Sequence, residues 1–196
     1  MQKKKLIRFM ESLVLLPIMA FSMPSGMPVI PQIVLSQKEN IQIQTLKAQA
    51  EAIDAYFDAR NMPLAGTGMK MAEEAEKNSI DWRLLPAIAV RESTGGKAAC
   101  KKARHNFFGW GSCKISFDSD EHAIERVALN LGGNNPNTEH YYSGKTTKEI
   151  LKKYNPPSIV PRYAEQVLSI MNAIGAEDFA IQDELKSSSD LLAQKV

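Results

Sequence analysis

The chain has 196 residues, 44% hydrophobic and 23% charged, with a formal net charge of +2. That composition excludes disorder throughout and leaves room for one globular domain with extensions. The basic excess sits at the start, with Lys3, Lys4, Lys5 and Arg8 against Glu11; the rest is near neutral, so nothing points to a nucleic-acid partner.

Residues 1–22 read as an export signal. Lys3-Lys4-Lys5 gives a basic start, Leu13–Phe21 a short apolar run, and Ala20 and Ser22 the small residues that a signal peptidase prefers. An uncleaved anchor and an accidental match in a cytoplasmic protein stay open as alternatives, and the run is short for a spanning helix. Residues 23–37, with Pro24, Pro28, Pro31 and Gly26, read as a linker. Residues 38–60 read as a helix, with Ile43, Leu46, Ala50, Ile53 and Phe57 spaced by three or four. It either packs on the following domain or serves as a stalk.

That domain spans 61–176. Asn61–Gly68 is a loop, and Met69–Lys77 a helix with Met69, Ala72 and Ala75 inward and Glu73, Glu74, Glu76 and Lys77 outward. Leu84–Val90 then holds no polar residue, the mark of a helix buried on all sides. Asp81 is its expected N-cap and Gly95-Gly96 its stop, which gives about 12 residues. Leu85, Ile88, Ala89 and Glu92 share one stripe of this helix. A carboxylate on an apolar face is partly desolvated, which favours the protonated form that a general acid needs. The plainer alternative is a Glu92 paired with a neighbouring Arg or capping a loop amide.

Asn106-Phe107-Phe108-Gly109-Trp110-Gly111 follows. Rings interrupted by glycines suit a cleft wall where the backbone approaches closely and rings stack on sugars. Cys100 and Cys113 bracket this loop and are the two cysteines of the chain. Behind an export signal they are expected to form a disulfide, the alternative being two free thiols. Lys97, Lys101, Lys102 and Arg104 form a basic cluster, either a solvated loop or a mild attraction for an anionic polymer. His105, His122 and His140 lack ligand-spaced partners, so no metal is expected.

Lys114–Phe117 reads as a short strand. Ser119 or Asp118 should cap a helix over Asp120–Leu131, and Gly132–Asn137 breaks the chain. Thr146 and Glu149 have capping-box spacing for a helix ending at Tyr154, before Asn155-Pro156-Pro157. Pro161–Ala173 is the last domain helix with Gly175 as its stop, and residues 177–196 are a polar tail.

"IDWRLLPAIAVRESTGGKAA" followed by "HNFFGWGS" resembles the glucosaminidase-type domain of bacterial cell-wall hydrolases, glycoside hydrolase family 73. The flanks "MPLAGTGMKMAEEAEKNSID" and "KKYNPPSIVPRYAEQVLSIMNAIG" are similar too, so the resemblance covers Met62 to Gly175. It implies a mostly α, lysozyme-like domain with a minimal β element, acting without a cofactor on the glycan strands of peptidoglycan. Glu92 matches the catalytic Glu at the helix end. Tyr163, in "RYAEQV", matches the family's active-site Tyr. Asn106, Phe108, Trp110 and Tyr154 would line the substrate cleft, and Phe107 belongs to the core. A second carboxylate, usual in glycosidases, is not evident: Asp118, Asp120 and Glu121 read better as cap and first-turn acids. The expected enzyme is an exported endo-beta-N-acetylglucosaminidase, monomeric, with the N-terminal segment offering membrane attachment. A lytic transglycosylase and a non-catalytic glycan-binding module are the alternatives.

Overall fold

The computed structural model describes residues 30–176. The export-signal reading of 1–22 and the tail reading of 177–196 lie outside the described residues.

Eight helices follow one another, and the described residues contain no strand. They are α1 (Ile30–Asp58), α2 (Gly68–Lys77), α3 (Leu84–Ser93), α4 (Trp110–Cys113), a single turn with positive φ at its last three residues, α5 (Asp120–Leu131), α6 (Glu139–Tyr142), α7 (Thr147–Tyr154) and α8 (residues 163–176). α1 lies along α2, which also meets α3 and α5; α6 packs against α5 and α7. α3 is the axis of the domain. Its Leu84, Leu85, Ala87, Ile88 and Ala89 are all 0% exposed, as an uninterrupted apolar run requires. Ile53, Phe57, Met71, Ile124, Leu131, Leu151, Val167 and Ile174 close around it. No described helix is long and apolar enough to cross a membrane.

Local sequence signals set most helix ends. Ser119 caps α5 by accepting from the His122 amide at 3.1 Å, and Asp120 and Glu121 occupy the first turn. Thr146 and Glu149 close a reciprocal capping box at the start of α7. At α3, Asp81 accepts from the Arg83 amide at 3.0 Å and caps the turn leading in, while the helix proper has 10 residues. It ends with Thr94 in the left-handed conformation (φ 54°), and Gly95 follows at φ 62°. The Gly95 amide bonds back to the Ala89 carbonyl at 3.2 Å. A β-carbon on Gly95 would meet the Met62 sulfur at 2.6 Å, so glycine is what lets Met62 pack under the helix end.

Five expectations need correction. Residues 30–37, read as part of a linker, are helical: Pro31 falls in the first turn of α1, where proline costs no hydrogen bond. α2 points Met71, not Met69, into the core. Its Glu74, expected outside, is 5% exposed because α1 and α5 cover both sides of the helix. Lys70 Nζ and Asn78 Nδ2 meet the Glu74 carboxylate at 2.8 and 3.4 Å. Lys114–Phe117 forms no strand. The Arg104 amide that a ladder would pair donates instead to Ser116 Oγ, leaving one bond from the Phe117 amide to the Arg104 carbonyl. α8 starts at 163, not 161. It also runs through Gly175, where the missing β-carbon makes room for the Arg83 guanidinium, 3.1 Å from where that carbon would sit.

Candidate active site

Glu92 occupies the last turn of α3 and is half-buried. The Tyr163 hydroxyl, at the start of α8, donates to Glu92 Oε1 at 2.6 Å. Tyr163 is 1% exposed. Burial, aided by Tyr154 and Glu92 beside it, pushes its phenol well above the ordinary range. It therefore stays protonated and acts as a fixed donor to the carboxylate. Gly109 closes over the other oxygen: a β-carbon there would lie 2.8 Å from Oε2.

The loop carrying Gly109 is tied down from within. Asn106 is fully buried. Its Nδ2 donates to the carbonyls of Trp110 and Ile115, both at 2.8 Å, and its Oδ1 accepts from the Trp110 amide at 2.9 Å. Both amide hydrogens and one lone pair of the oxygen thus go to the loop, and the expected anchor role falls on the loop. The Cys100–Cys113 disulfide closes the same loop from outside, with Cα atoms 5.5 Å apart. Within it, His105, Gly109, Gly111 and Ser112 have positive φ, as does Cys113 at its end.

The Glu92 carboxylate opens into a cleft of about 630 Å³. Gly109 to Cys113 form one wall; Thr138, Tyr141 and Tyr142 come from the segment around α6; Tyr154, Asn155, Pro156 and Ile159 close the other side. The Trp110 and Tyr154 rings stand 5.7 Å apart, and Tyr154 stacks on Tyr163 at 5.9 Å and 12°. The Tyr154 hydroxyl donates to the Phe108 carbonyl, which joins this ring series to the loop. Burial raises the Tyr154 phenol well above its usual range as well, with Glu92 and Tyr142 adding to it.

Glu92, Tyr163, Trp110, Tyr154, Asn106 and the disulfide therefore converge on one place. Phe108 does not join the wall. It is 0% exposed and packs against Phe107 at 4.4 Å between centroids, so no sugar can reach its ring. Glu92 is the sole acidic residue among those lining the cleft. Asp120 faces His105 at 2.8 Å and Asp118 faces His122 at 3.1 Å, both outside it. No three metal-ligating side chains cluster among the described residues. Thr138, Tyr141 and Ile159 are lining residues that sequence reasoning missed. Tyr141 belongs to a four-residue helix too short to show periodicity, and Ile159 reaches the cleft only because Asn155-Pro156-Pro157 turns the chain back.

No protein-family profile matches this chain, and no curated protein matches it either.

Proposed function

We propose that the protein is a glycosidase that cuts the glycan strand of peptidoglycan after N-acetylglucosamine, an endo-beta-N-acetylglucosaminidase. The observation that carries this reading is a lone carboxylate, held at one oxygen by a buried tyrosine and opening into an aromatic-walled cleft. Glu92 donates its proton to the glycosidic oxygen as the bond from that oxygen to the anomeric carbon breaks. With no second acid in the cleft lining, the substrate's own 2-acetamido oxygen forms the new bond to the anomeric carbon, as in substrate-assisted glycosidases. Water then opens that ring, and Glu92 takes up the proton. Trp110 offers a ring for a sugar face, and Tyr163 fixes the carboxylate while the leaving group departs. The Cys100–Cys113 disulfide supports an exported location, where thiols oxidise.

The same lone acid favours a second reading. A lytic transglycosylase also uses one carboxylate, as acid and then base, while the muramic 6-hydroxyl closes an anhydro ring.

Mass spectrometry of the fragments released from purified peptidoglycan decides between them. Reducing N-acetylglucosamine ends are expected. Anhydro-muramic ends would replace the glucosaminidase with the transglycosylase, and reducing muramic ends would overturn both bond assignments. Glu92→Gln should lower fragment release by roughly 10²- to 10⁴-fold. Strand binding with no release by the wild type would leave a glycan-binding module, and equal release from the variant would remove Glu92 as the acid.

A further inference from the structure

A second hollow, of about 480 Å³, shares no lining residue with the cleft. Arg91, Arg162, Glu165, Gln166, Ser169 and Ile170 line it. The two arginines immediately precede the two residues of the active-site hydrogen bond, Glu92 and Tyr163. The Arg91 guanidinium sits 5.6 Å from the centre of the Tyr163 ring, and its Nε donates to Gln166 Oε1 at 2.7 Å. Tyr163 therefore neighbours both groups, with its ring near this cation and its hydroxyl on the Glu92 carboxylate. Neither Arg91 nor Arg162 forms an ion pair with an acid among the described residues. The one acid in the hollow, Glu165, faces Lys148 at 3.7 Å. Arg162 is exposed and holds a left-handed backbone (φ 63°) at the entry to α8. A non-glycine residue stays in that region only where its surroundings hold it there.

Two guanidinium groups with open donors and little opposing charge form a receptor for a carboxylate. We infer that this hollow takes a free carboxylate of the peptide stem carried by the muramic residue next to the cleaved bond. The inference rests on the glycan-strand reading above and adds to it a preference for strands whose stems keep a free carboxylate. Arg162 is then a specificity-determining residue, and Arg91, held in place by Gln166, supplies the second guanidinium.

Cleavage of stem-bearing strands is compared with that of the same strands after carbodiimide coupling of their carboxylates to ammonia, in wild type, Arg162→Gln and Arg162→Lys. Wild type should favour the strands with free carboxylates in kcat/KM. Arg162→Gln should lower that preference about tenfold, the scale of one charge-assisted contact, and Arg162→Lys should restore part of it. Lys101→Gln, an equal charge change outside both hollows, should keep the wild-type ratio. Equal wild-type rates on the two polymers would overturn the inference alone, as would an Arg162→Gln variant that slows both equally. Failure of the wild type to cut either polymer would overturn the glycan-strand reading and this inference with it.

Discussion

Each oxygen of the Glu92 carboxylate has a separate neighbour. Tyr163 occupies Oε1, so Oε2 is the oxygen left to meet a substrate, and it lies against Gly109. Gly109→Ala is expected to do two things. A left-handed alanine at φ 66° should cost about 1–2 kcal/mol in denaturant unfolding. Its β-carbon, 2.8 Å from Oε2, should displace the acid and lower strand cleavage roughly 10²-fold. Unchanged cleavage with the stability loss would mean that the reaction does not take place at Oε2. At this scale the sequence is a good guide wherever helical periodicity fixes direction, as it does for Glu92 on α3. It is a poor guide in the loop. Nothing local distinguishes Phe108 from Trp110: both are rings beside Gly109. The loop turns Phe108 onto Phe107 and inward, and Trp110 toward Tyr154.

Helix junctions carry the charge pairs. Between α2 and α3, Asp81 is half-buried, and Arg83 reaches it with Nε at 2.9 Å and Nη2 at 2.6 Å. Burial opposes the Asp81 charge, but the hydrogen bonds and charge of Arg83 outweigh it and hold the carboxyl below its ordinary value of 3.8. The folded state thus binds the Asp81 proton less readily than the unfolded chain. This pair's stabilisation is complete above the unfolded value and is lost as pH falls through the folded one. Asp81→Asn is expected to cost about 1 kcal/mol near neutrality, modest because the pair is partly solvated. Its thermal midpoint should also fall less than that of the wild type between pH 5 and pH 3, within the range where about one carboxyl releases its stability. Identical acid profiles would remove the pair from the stability of the junction. Capping of α5 by Ser119 and of α7 by Thr146 was readable because a cap is a contact over three residues. The strand over Lys114–Phe117 was not, because a strand exists only if a distant partner offers a ladder, and here Ser116 Oγ took the amide. The inward turn of Glu74 escaped for the same reason: α2 is covered on two sides by helices far away in sequence.

The whole domain is a buried core with a tied-on wall. The core gathers residues from α1, α2, α3, α5, α6, α7 and α8, and neither cysteine belongs to it. The disulfide closes 13 positions of chain around the cleft loop, worth about 3 kcal/mol through the entropy of the unfolded chain. Cys100→Ser with Cys113→Ser is therefore expected to lower the unfolding free energy by that amount. It should leave the far-ultraviolet circular dichroism unchanged and weaken strand binding. A variant with wild-type binding would show that Asn106 alone holds the wall. The run Gly111-Ser112-Cys113 is left-handed at all three residues and ends on the disulfide. Because neither cysteine packs in the core, reduction should loosen this turn beside Trp110 while the helices stay together. Fold and cleft wall then answer to different chemistry: apolar burial holds the first, and the second also depends on the redox state of two sulfurs.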